Sequence, residues 1–134
     1  AHTPRPPRRF CSWRCKVKRE EAEKLLPLKE RIKRAIMRDR VRLCGVVAAS
    51  FWPNKGPAMQ TEIGIYLAHV ACEYSISSLI KATEKTGSEI TQLLREWEDH
   101  RDTPKFDEKM KRAEFLMRAC VMTMDAQLKD HPNV

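Results

Sequence analysis

The sequence predicts an all-α protein, an irregular bundle of about four helices preceded by an extended basic N-terminal arm. Three observations carry that prediction. Residues 59–83, MQTEIGIYLAHVACEYSISSLIKAT, place apolar side chains on more than one face of a helix, so this stretch is expected to be covered on several sides. Near the C-terminus, Phe106, Met110, Ala113, Met117, Cys120, Met124 and Leu128 recur three or four residues apart, close to a heptad seam. Strand-like alternation is scarce, and the helix breakers are grouped at PNKGP (53–57), Gly87 and Thr103–Pro104.

Taken in order, residues 1–26 read as a Pro/Arg-rich arm. Pro4, Pro6 and Pro7 push the residues before them out of helical space, and a helical pattern over 20–26 is interrupted by Pro27. A first helix is expected over 27–51, with Pro27 in its first turn. Leu28, Ile32, Ala35, Ile36, Leu43, Val46 and Val47 are expected to trace its inner face, while Lys29, Arg31, Lys33, Arg34, Arg38, Arg40 and Arg42 continue the basic surface. Its last third, LCGVVAASFW, is apolar but too short to span a bilayer.

The central helix is expected over 58–86. Its window from Ile63 to Ile80 contains His69, Glu73 and three serines. An ionised Glu73 at the bilayer centre would cost about 2.5 kcal/mol or more, so this reads as a core helix and not a membrane span. Gly87 is expected to end it, with Ser88 capping a helix over 89–101 whose apolar face is Ile90, Leu93, Leu94 and Trp97. Thr103–Pro104 is a specific start signal for the last helix, 104–130, which at 1.5 Å per residue runs about 40 Å.

A length of 134 residues suits one helical domain, 27–134, able to bury a core without disulfide staples. The net charge of +8 is unevenly placed: residues 1–42 hold 15 Lys+Arg against 5 Asp+Glu, and residues 43–134 hold 11 against 13. A mildly acidic domain therefore carries a strongly basic front end. The chain starts at Ala1 and has no apolar secretory signal. A mature organellar protein, mitochondrial and either in the matrix or associated with the inner membrane, is the expectation. Five cysteines is an odd number, and Cys44, Cys72 and Cys120 lie in apolar stretches where reduced thiols act as small hydrophobes.

Two sets of residues point to contacts. In the arm, Arg5, Arg8, Arg9, Arg14, Lys16, Lys18 and Arg19 interleave with Phe10 and Trp13, a mixture suited to anionic lipid headgroups, to RNA, or to an acidic protein neighbour. On the last helix, Met110, Met117, Met124 and Leu128 are expected to face a partner, since a helix about 40 Å long overhangs a bundle whose third helix is half that length.

The case for catalysis is thin. Glu62, His69 and Glu73 share a helix, with His69 and Glu73 four apart, but no Glu-x-x-His occurs and no second helix supplies a matching His. Cys11-x-x-x-Cys15 is half of a zinc motif without its other half. There is no Gly-rich phosphate loop, no Gly-x-Ser-x-Gly and no Cys/His pair with nucleophile context. The pattern predicts no catalytic residue, no metal and no cofactor. The function expected is that of a non-catalytic accessory subunit of a large mitochondrial protein assembly, of the respiratory-chain or ATP synthase type, docking through the basic arm and apolar helix faces. The alternative is an organellar ribosomal or other RNA-binding protein using the Arg-rich arm, and a helical-bundle metalloprotein is the remote third.

Overall fold

A proline separates the first two helices. In the computed structural model, which describes residues 18–130, helix α1 (residues 18–24) stops short of Pro27, and Pro27 is the N-cap of helix α2 (Leu28–Phe51). Pro53 ends α2, because the residue before a proline is driven out of α space, and Trp52 lies at φ −125°, ψ 62°. The chain turns over residues 52–56, where the Lys55 amide donates to the Trp52 carbonyl at 3.2 Å and the Gln60 side chain donates to the same oxygen at 3.1 Å. Helix α3 (Pro57–Ala71) then begins with proline in its first turn, where a missing N–H costs nothing.

Among the described residues the pairing of α2 with α3 is the most extensive, and Gly64 sets its distance by packing on the Gly45 backbone. A Cβ built on Gly64 would stand 2.6 Å from the Gly45 Cα and 2.7 Å from the Gly45 nitrogen, so the two backbones meet directly. A Cβ on Gly45 points instead into open space.

The central stretch is not one helix. The expected helix over 58–86 is broken after Ala71 into α3 and a short helix α4 (Ile76–Ala82). Glu73 adopts a left-handed conformation, φ 59°, and the amides of Cys72 and Tyr74 both donate back to the Ala68 carbonyl, at 3.1 and 3.5 Å. His69 fastens the turn, its Nδ1 donating to the Tyr74 carbonyl at 2.8 Å. Ser75 starts α4 by accepting from the Ser78 amide at 3.1 Å. Ser75 therefore caps a new helix, where one continuous helix was expected. With seven residues, α4 is far below the length at which a helix holds by itself, and buried Leu79 is its anchor.

Helix α5 (Gly87–His100) is capped by Thr86, not Ser88: the Thr86 hydroxyl accepts from the Glu89 amide at 3.2 Å and the Glu89 carboxylate accepts from the Thr86 amide at 3.3 Å. Gly87 is its first residue and not a terminator. Ile90, Leu93, Leu94 and Trp97 form its buried face. Helix α6 (Pro104–Asp130) follows after residues 101–103. It runs antiparallel to α2, as Lys109 donates to the Phe51 carbonyl near one end and Arg40 pairs with Asp125 near the other. The described residues thus form six helices and no strand, where about four helices were expected. Residues 18–24 are helical where the extended arm was expected to reach 26, and the rest of that arm, 1–17, lies outside the described residues.

Phe106 closes the bundle beside the α2–α3 turn. Its ring centroid lies 5.2 Å from Trp52 and 5.7 Å from Trp97, nearly parallel to the latter at 23°. Nearby, buried Tyr66 donates its hydroxyl to Glu98, and Arg101 bridges Asp107 at 2.7 Å and the buried Glu114 at 2.5 Å.

Two outcomes follow from this packing. Gly64→Ala forces the α2 and α3 backbones apart and should lower unfolding stability by about 1–3 kcal/mol, while Gly45→Ala gains helix propensity without a clash and should raise it by about 0.5–1 kcal/mol; urea unfolding of both variants measures the contrast. Burial, then the hydrogen bond to Glu98, pushes the Tyr66 phenol up to about 12. A phenol ionising near 10 in the unfolded chain and near 12 in the fold favours folding below pH 10 and loses that contribution as pH rises to about 12. Phenolate absorbance should therefore show Tyr66 still protonated at pH 10.5, with unfolding midpoints falling between the two values; in Tyr66→Phe the Tyr66 part of that fall should vanish.

Candidate docking surfaces

Before Cys44, no described residue is buried. The first 16 residues of α2, about 24 Å of helix, are exposed or half-buried, as is α1, and only toward Val41 and Leu43 do they reach the core. At this end Arg38 pairs with Glu23 across α1 and α2, the Arg19 guanidinium donates to the Thr83 carbonyl at 3.3 Å, and Arg40 pairs with Asp125 of α6. An open cleft between α1 and α2 is lined by Glu20, Glu23, Lys24 and Arg31, charged walls with no enclosed pocket.

The outer face of α2 has an order of its own. Leu28, Ile32, Ala35, Asp39, Arg42 and Val46 are all exposed, and their spacings of 4, 3, 4, 3 and 4 place them in one stripe. Leu28 is 64% exposed, Ile32 43% and Val46 62%, while Asp39 and Arg42 pair across the middle at 3.8 Å. The inner-face expectation for α2 is therefore corrected. Val47 is buried with Cys44 and Ala48, and Leu28, Ile32, Ala35 and Val46 point outward. Adjacent residues on a helix lie 100° apart, and with Cys44, Val47 and Ala48 on the core side Val46 falls on the outer one. The 4-3-4-3-4 spacing was the signal available in the sequence.

Helix α6 also divides into two faces. Met110 and Met117, expected to meet a partner, are fully buried in the chain's own core. Their seam is real, but α2 and α3 occupy it. Met124 is half-buried and Leu128 is exposed near the C-terminal end. The exposed apolar strip lies on the other side, at Phe115, Ala119, Met122 and Ala126, with Phe115 77% and Met122 73% exposed.

Basic residues flank the α2 stripe. Lys29, Arg31 and Lys33 are exposed beside it and Arg42 within it, as are Lys18 and Arg19 of α1. Of the other arm residues singled out, Arg5, Arg8, Arg9, Phe10, Trp13, Arg14 and Lys16 lie outside the described residues. Arg40 is turned inward, paired with Asp125 and close to Tyr74; burial opposes its charge, and the hydrogen bonds to Asp125 and Tyr74 outweigh burial and raise its pKa.

The one cluster resembling a polar site does not assemble. His69 spends Nδ1 on the α3–α4 turn, and Glu73 sits exposed in that turn, so the helical register that would align them is interrupted. Among the described residues, no three His, Cys, Asp or Glu side chains are grouped so as to hold a metal ion, and no helix is long and apolar enough to cross a membrane. Set beside known proteins, the chain matches no family model, no curated protein and no solved structure.

Proposed function

We propose that this protein is a non-catalytic accessory subunit of a large mitochondrial protein assembly, of the respiratory-chain or ATP synthase type, which it joins by helix-on-helix packing. The exposed stripe Leu28, Ile32, Ala35, Asp39, Arg42, Val46 carries the reading. Heptad spacing with apolar residues at both ends is the pattern one helix presents to another. A second strip, Phe115 to Ala126 on α6, offers a further helix face. The basic residues around the N-terminal half of α2 suit an acidic subunit or an anionic, cardiolipin-like membrane surface at the edge of such an assembly.

The RNA-binding reading rests on the Arg-rich arm read from the sequence, together with the exposed cations of α1 and α2. Fifteen Lys+Arg lie within residues 1–42, and phosphate contacts by several of them would make binding steeply salt-dependent.

A photo-crosslinking amino acid placed at Val46 or Phe115, in mitochondria of the source organism, should give adducts with defined protein subunits that co-migrate on native gels. Val46→Gln and Phe115→Gln should change folding stability by no more than about 0.5 kcal/mol, because both sites are exposed, while releasing the chain from the assembly. A chain that migrates alone and yields no adduct at either site rejects the subunit reading. Binding of structured RNA that weakens with salt, and is lost when residues 1–19 are removed, would instead favour the ribonucleoprotein.

A further inference from the structure

We infer that Cys44 and Cys72 are a dithiol–disulfide pair in which Cys72 is the thiol that reacts with hydroperoxides and Cys44 the thiol that resolves the product. The two Sγ atoms lie 3.9 Å apart, bridging α2 to the end of α3. Both are free thiols. Cys44 is fully buried and Cys72 half-buried, so a solvent-borne oxidant meets Cys72 first. Arg40 stands one helical turn before Cys44, and its guanidinium field acts on Cys72, with Asp125 and Tyr74 as its neighbours and Cys120 of α6 near Cys44.

The electrostatics divide the roles. The hydrogen bond from Cys44 favours the Cys72 thiolate; burial opposes it, and the Arg40 charge adds to it, leaving Cys72 below the ordinary thiol value. Cys44 is held up by the same hydrogen bond and by burial, so it stays protonated behind its partner. Position permits the bond as well. Cys72 is the C-cap of α3, directly before left-handed Glu73 and the connector to α4. Its sulfur needs to travel about 2 Å to reach bonding distance, a shift within the reach of a side-chain rotation and a small movement of that connector.

The chemistry balances. The Cys72 thiolate attacks the terminal oxygen of the hydroperoxide, the O–O bond breaks, and the alcohol (or water, for hydrogen peroxide) departs with a proton, leaving a sulfenic acid. The Cys44 sulfur then attacks the Cys72 sulfur; the S–O bond breaks, the S–S bond forms, and hydroxide leaves as water with the Cys44 proton. Two electrons pass from the thiols to the peroxide, and a dithiol reductant reverses the bond. The inference is independent of the docking reading.

The test uses the full chain, reduced, freed of reductant, exposed to a small molar excess of hydrogen peroxide, blocked with N-ethylmaleimide and digested with trypsin. Mass spectrometry should find the peptide 43–55 joined to 56–81, lighter than the sum of the two by two hydrogens. Before oxidation, iodoacetamide at neutral pH should modify Cys72 at least about tenfold faster than Cys120. In Cys44→Ser, dimedone should trap the sulfenic acid on Cys72; in Cys72→Ser, peptide 43–55 should remain reduced. If the two peptides of the unsubstituted chain are recovered separately alkylated, or if either is joined to Cys11, Cys15 or Cys120 instead, the inference is overturned. That map needs no variant to fold.

Discussion

The contact on which the rest depends is the one between two backbones, Gly64 of α3 and Gly45 of α2. Side chains normally hold helix axes 8–10 Å apart, and the missing Cβ of Gly64, which would collide with the Gly45 backbone, lets the chains touch. That closeness brings Cys44 within 3.9 Å of Cys72. It also sets Arg40 beside Tyr74 where α3 ends, and it leaves a groove along which α6 lays Met110, Ala113 and Met117. Helix α5 then covers the remaining side of α3 through Ile90, Leu93, Leu94 and Trp97.

The polar contacts are concentrated at the two ends of this arrangement. Arg40 with Asp125 marks one end, and Arg101 with Asp107 and Glu114 marks the other. The hydrogen bond from Arg101, then that from Lys111, holds the Asp107 carboxyl below its usual range. Ion pairs reached by solvent contribute little to stability on their own. Their effect is on register: each fixes one end of α6 against a neighbour, and the apolar seam between them cannot slide by a turn.

What could be read from residues alone follows the strength of the local signal. Helix α6 was legible at its start because Thr103–Pro104 is unambiguous and a single stripe runs from Phe106 to Leu128. The partner of that stripe was not legible, since a heptad seam looks the same whether its mate is in the same chain or another. The break after Ala71 was hidden because a glutamate takes the left-handed position that glycine usually signals. Ser75 with Ser78 was the remaining clue, and an apolar stretch spread over several faces describes two helices as well as one. On α2 the apolar positions belong to two faces, Leu28 to Val46 outside and Cys44 to Ala48 inside, and only packing tells which is which. The thiol pair is 28 residues apart in sequence and exists only through the glycine crossing.

Helix α2 is continuous in its hydrogen bonding but not in its support. From Val41 onward one face packs on the core, half-buried at Val41 and Leu43 and buried at Cys44, Val47 and Ala48, while the first turns are exposed at Leu28, Ile32 and Ala35. Melting those first turns uncovers little new apolar surface, whereas melting from Val41 onward pulls half-buried and then buried side chains off the core. One helix thus spans two cooperative units, with the boundary falling between Ala35 and Val41. Amide protons on one side exchange with solvent through local fraying, and those on the other exchange only when the whole domain opens.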